Sequence, residues 1–156
     1  MDDVIRRFLG ESVALELNIG DLYQYFSVKF PQDHNFWWNL SIEEMNHAAI
    51  IESIDDIFLG DSILPYNSLD IQTEELKKKN HLIKEQIELY KTGSLTRTAA
   101  FKFACDLENS IGESHFELFM TAIQNSMVAK IFQKLNGEDI HHAKRIVNYM
   151  KENSIL

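Results

Sequence analysis

A chain of 156 residues, 45% hydrophobic and 25% charged, is long enough for one domain with its own core and too apolar for a disordered chain. The net charge of −9 argues against nucleic acid as a main partner. The single cysteine, Cys105, excludes an internal disulfide and any cysteine-built zinc or iron–sulfur site.

Apolar residues recur at helical spacing almost throughout, and two prolines and six glycines are too few for a turn-rich β protein. A first helix is predicted from about Asp3 to Phe30. Pro31 cannot continue it but suits the start of another. The second helix runs from about His34 to Leu59, with Gly60 as its stop. Residues 61–69 read as a loop containing Pro65 and Asn67. Asp70 to Lys91 reads as a charged amphipathic helix with Leu76, Ile83, Ile87 and Tyr90 along its apolar stripe, ended by Gly93. Ser94 or Thr96 caps a third long helix reaching about Ile123. Asn125 and Ser126 form the turn and cap of a fourth, which reaches about Lys151. The expected fold is all-α. Two long hairpins, about 3–59 and 94–151, are joined by a crossover over 60–93 that carries its own helix, giving an antiparallel four-helix bundle with one long connection. No run of about 18 apolar residues offers a membrane span. Asp2, Asp3, Arg6 and Arg7 stand where a signal peptide would need apolar residues, so a cytoplasmic protein is expected.

The two hairpins repeat one another. Leu15-Glu16-Leu17-Asn18-Ile19-Gly20-Asp21 in the first helix matches Leu107-Glu108-Asn109-Ser110-Ile111-Gly112-Glu113 in the third without a gap. Leu40, Glu44, His47, Ala48 and Ile51 match Leu135, Asp139, His142, Ala143 and Ile146. Each half thus offers a carboxylate on its first helix, then a carboxylate and a histidine three residues apart on its second.

That spacing puts acid and imidazole on one helical face, about a turn apart. Glu16 and Glu44 lie almost equally far from the turn near Pro31, so an antiparallel hairpin brings them to one level, roughly 20 Å from that turn at about 1.5 Å per residue. Glu108 and Asp139 are related in the same way about the turn near Ile123 and Gln124. All six positions lie on apolar stripes, where ionised groups are costly unless paired or bound to metal. Glu16, Glu44, His47, Glu108, Asp139 and His142 are therefore the expected ligands of two metal ions. Their oxygen and nitrogen donors suit Fe, with Mn or Zn as alternatives. A metal-free polar core held by hydrogen bonds is the competing account. Glu138 and His141 also show the acid–histidine spacing, but Lys134, Lys144 and Arg145 flank them, so that pair is expected to face water. Asp139, one methylene shorter than its counterpart Glu44, is expected to alter bridging or weaken one position. Tyr23 and His115, each seven residues beyond a ligand, are placed to hydrogen-bond carboxylates of the opposite half. Cys105 is expected to pack as a small hydrophobe.

These segments, together with Tyr23-Gln24-Tyr25-Phe26, Asp106-Leu107-Glu108 and Asp139 through Arg145, resemble the ferritin-like superfamily and, within it, the rubrerythrin-type di-iron domain. The resemblance spans nearly the whole chain and implies the same ligand set, with Asp139 where the family usually has Glu. It implies an oxidoreductase acting on peroxide or oxygen. One cysteine cannot build a rubredoxin domain, so electrons would come from a separate carrier protein. Ile111 stands where rubrerythrins place a further Glu, which favours an alternative: an iron-binding, ferroxidase-type protein without a dedicated substrate. A helical interaction module with a structural or lost metal is a third reading. Aromatic residues such as Trp37 and Trp38 suit a core and a homodimer interface.

Overall fold

The computed structural model describes residues 2–54, 66–120 and 127–155, with the side chains of all of these except 2, 66–68, 111–120 and 127. The described residues are almost wholly helical. They form α1 (Asp2–Lys29), a 3-10 turn (Pro31–Asp33), α2 (His34–Glu52), α3 (Tyr66–Thr92), α4 (Arg97–Met120) and α5 (Met127–Glu152). No strand occurs among them, and none of these helices is long and apolar enough to cross a membrane. The expected ends of the second helix at Leu59 and of the third at Ile123 lie outside the described residues, as does the turn at Asn125 and Ser126.

Helix α1 packs along α2, and α4 along α5, so each sequence hairpin is also a packing pair. Apolar layers lie on both sides of mid-height. Phe8 and Phe132 approach to 5.9 Å on one side. Tyr23, Phe26, Trp37 and Phe101 cluster on the other.

Helix α3 begins at Tyr66, a turn earlier than the start expected at Asp70. The reason is its seam. Leu69, Thr73, Leu76, Asn80, Ile83 and Ile87 are all buried and follow alternating steps of four and three residues. The earlier turn brings buried Leu69 into that seam. Arg7 donates to Asp70, Asn18 to Asn80 at 2.7 Å, and Tyr25 to the carbonyl of Tyr90 at 2.7 Å, so α3 runs parallel to α1. The polar seam residues evade an apolar-periodicity reading, yet they fix register. Asn80 also donates to the Glu11 carbonyl and carboxylate at 3.0 and 2.9 Å. Gly93 closes α3 with a bond from its N–H to the Leu89 carbonyl at 2.9 Å. Thr96 caps α4 by accepting from the Ala99 N–H at 3.2 Å.

One buried acid ties the pairs together at the α1–α2 turn. Asp33 occupies the N-cap position of α2 but makes no side-chain cap bond. Its carboxylate instead accepts two bonds from Arg97 on α4, at 2.7 and 2.6 Å, and one from the Tyr149 hydroxyl on α5 at 3.0 Å. Arg97→Ala would leave that carboxylate buried with one partner fewer, and is expected to lower the unfolding free energy by about 3–5 kcal/mol. Lys77→Ala removes an exposed pair with Glu74, and is expected to change it by less than about 0.5 kcal/mol. Urea denaturation of both variants checks the contrast.

Candidate metal centre

Four helices converge at mid-height. Glu16 comes from α1, Glu44 and His47 from α2, Glu108 from α4, and Asp139 and His142 from α5. Each is between 1% and 3% exposed. Gly20, one turn from Glu16, lets α1 approach α2 closely: a Cβ there would meet the Ser41 carbonyl at 3.4 Å and the Glu44 Cβ at 3.6 Å.

The six side chains form two groups with one member in common. Glu16, Glu44, His47 and Asp139 make one, and Glu44, Glu108 and His142 the other, each with its ligand atoms within 4.8 Å of one another. Glu44 spans them. Its Oε2 lies 3.2 Å from His47 Nδ1 and its Oε1 2.8 Å from His142 Nδ1. The two imidazoles stack almost parallel, with centroids 5.4 Å apart and planes inclined by 7°. Asp139, on the same helical face as His142, lies instead with the His47 group, 3.7 Å from His47 Nδ1. A side chain one methylene shorter than Glu44 does not span both groups.

Burial dominates the electrostatics. Glu16 is pushed up to about 8 by desolvation, with Glu44 adding repulsion against the pull of His47. Glu108 and Asp139 also rise, first through desolvation and then through neighbouring carboxylates. Glu44 is equally buried, yet His142 and His47 overcome that burial and hold it at about 2. Burial works against a charged imidazole, but the surrounding carboxylates prevail and carry His47 to about 11 and His142 to about 10. Protons thus do the charge balancing that cations could do. They do it imperfectly: both Nδ1 atoms, Glu44 Oε1 and Asp139 Oδ2 are buried without a hydrogen bond of good geometry among the described residues. Buried, convergent nitrogen and oxygen donors with unmet bonding fit divalent metal ions of the Fe, Mn or Zn type.

The outward nitrogens of the imidazoles are held across the two hairpins. His47 Nε2 lies 2.8 Å from Glu138 Oε2, and His142 Nε2 lies 2.9 Å from Glu43 Oε2. Arg145 donates to Glu43, and Lys134 lies 3.5 Å from Glu138. This corrects the expectation that Glu138 faces water. It is part-exposed, but its carboxylate turns inward to His47 on the other hairpin. His141 is exposed. The signal was a doubled acid in both repeats, Glu43-Glu44 and Glu138-Asp139. An Nε2–H donated outward leaves Nδ1 free to face a metal.

Tyr23 is fully buried and donates its hydroxyl to Glu108, in the opposite half. The side chain of His115 lies outside the described residues, as does that of Ile111. Cys105 is half-buried and unpaired by any disulfide, and its carbonyl accepts from Asn109 at 2.8 Å. A scan against protein-family models and searches of curated proteins and of solved structures found no match to this chain. The geometry of the site therefore carries its interpretation.

Two outcomes are expected. Glu138→Ala should weaken metal binding by about 10–100-fold, whereas His141→Ala should leave it unchanged; competition against a chelator measures both. Near neutral pH both imidazoles hold a proton that ligation must displace. Loading should therefore release protons and weaken as pH falls, which calorimetry in buffers of different ionisation enthalpy would detect.

Proposed function

We propose that this chain is a ferritin-like four-helix bundle holding a di-iron carboxylate centre, and that it acts as an oxidoreductase on peroxide or oxygen. The observation that carries this reading is Glu44, one carboxylate aimed at both imidazoles and shared by both donor groups. A carboxylate so placed suits a bridge between two ions. Helix order also supports it. Two packed hairpins joined across a long segment containing α3 accord with one long crossover.

A pair of reduced iron ions bound here would supply the two electrons that peroxide reduction needs. The chain's own groups hold and shield that chemistry. Glu138 and Glu43 fix the imidazole rings, and Tyr23 orients Glu108. Leu15, Leu40, Leu135 and Ile146 are fully buried around the donors and keep bulk water out. Beside the imidazole edges lies a small pocket of about 290 Å³ lined by Glu43, His47, Glu138, His141, His142 and Arg145. All six carry polar or charged groups, and the pocket is small for an organic ligand. That favours a small inorganic substrate.

A second reading, iron binding and oxidation without a dedicated substrate, is favoured by Asp139, which serves one donor group where Glu44 serves two. Anaerobic loading separates the readings. Two irons per chain, rapid oxidation by peroxide and repeated turnover with an added electron donor are expected of the oxidoreductase. A single oxidation without turnover would favour the binding protein, and one tight zinc or no metal would overturn both. Glu44→Ala is expected to abolish loading of both positions, which elemental analysis reads directly.

A further inference from the structure

A column of aromatic rings runs from the candidate centre to the end of the molecule where α1 turns into α2. Tyr23, bonded to Glu108, lies 5.4 Å from Trp37, ring centre to ring centre. Trp37 lies 4.4 Å from Phe101 and 5.2 Å from Phe36. Both phenylalanines stack on Tyr149, at 5.5 and 4.0 Å. Tyr149 is part-buried, donates its hydroxyl to Asp33 at 3.0 Å, and lines a surface pocket of about 720 Å³ with Asp33, Phe36 and Gln32.

Core packing explains the rings but not their polar ends. Oxidation of a phenol expels its proton, and both tyrosines already donate that proton to a buried carboxylate, Glu108 or Asp33. Trp37 is the opposite case. Its indole nitrogen is buried with no hydrogen-bond partner among the described residues. An oxidised indole there has no acceptor for its proton, so charge crosses it rather than resting on it.

We propose that Tyr149, Trp37 and Tyr23 form a relay that carries single electrons from an external one-electron donor, entering at Tyr149, to the candidate metal centre, across Phe36 and Phe101. The relay's use rests on the redox function proposed above, with hydrogen peroxide as the oxidant. Tyr23 would give an electron to an oxidised metal centre held by these residues, with its proton moving along the existing hydrogen bond to Glu108. Trp37 then reduces the Tyr23 radical, which takes its proton back. Tyr149 reduces the Trp37 radical cation and passes its own proton to Asp33. The external one-electron donor reduces the Tyr149 radical, and the proton returns. One electron enters and one leaves per cycle, and only O–H bonds change. Peroxide takes two electrons and two protons to yield two waters; two passes of the relay supply the electrons, and solvent supplies the protons, because the relay's own protons return to their tyrosines.

The test begins with the metal-free full chain. A photo-oxidant is attached through Gln32→Cys in a Cys105→Ser background, beside Tyr149. A flash is expected to produce a tyrosyl radical at Tyr23, seen by electron paramagnetic resonance and absent in Tyr23→Phe. Trp37→Phe is expected to delay its arrival by an order of magnitude or more, with circular dichroism checking the fold. Oxidation confined to Tyr149 in the parent chain, or equally fast arrival in Trp37→Phe, would overturn the relay. In the iron-loaded protein, Tyr149→Phe is expected to slow re-reduction by an external donor by an order of magnitude with metal content unchanged. Unchanged re-reduction would also overturn the relay. The photochemical arm needs no metal, so a chain that passes it but takes up no iron keeps the path and loses only the function proposed for the centre.

Discussion

Four carboxylates and two imidazoles share one water-excluded layer, and the rest of the molecule is organised around that fact. Desolvation is the largest single influence on Glu16, Glu44, Glu108, Asp139, His47 and His142 alike. Only Glu44 escapes with a depressed value, because it alone faces both imidazoles closely. Buried charge is tolerated only when compensated. Here the compensation comes from facing helices, so helix positions and site electrostatics are one problem. Divalent ions would supply the positive charge that protons now supply in part.

The hairpins meet in two different ways. Within each hairpin, α1 on α2 and α4 on α5, packing is extensive and largely apolar. Between α2 and α5 at the level of the site, the contacts are polar: His47 with Glu138 and Asp139, and His142 with Glu43 and Glu44. Asp33 adds a second polar tie at the far end, through Arg97 and Tyr149. Apolar packing resists separation but tolerates sliding, whereas hydrogen bonds fix position. The polar ties therefore set the register of one hairpin on the other, which is what the convergence of six donor side chains from four helices requires.

What the sequence made legible follows from period and symmetry. The acid on the first helix and the acid–histidine step on the second occur twice, and their equal distance from the turns gives their common height without any tertiary information. What it hid depends on the opposite hairpin. Glu138 reads as a surface residue because Lys134, Lys144 and Arg145 surround it on its own helix; its partner, His47, is 91 positions away. Asp33 carries no local signal beside Pro31, because its partners, Arg97 and Tyr149, lie 64 and 116 positions away. Asn80 and Thr73 interrupt an apolar stripe, so a count of apolar residues misses the seam they complete. Polar residues with distant partners are the class that local periodicity cannot assign.

The repeat is also broken, and the break has chemical content. Glu44 and Asp139 occupy equivalent positions, but Glu44 reaches both donor groups and Asp139 only the one at His47. The two groups are consequently unequal: four protein donors surround one position and three the other among the described residues. Two carboxylates of equal length would have made the halves equivalent. The group at Glu108 and His142 has fewer protein donors, and a metal ion held there would leave more room for an exogenous oxygen ligand. Tyr23 bonds to Glu108 on that same side, so the less saturated position is also the one beside the phenol at the head of the aromatic column. Metal ions held by these groups would thus meet more protein donors on the His47 side and fewer on the His142 side, which is the side next to the ring column.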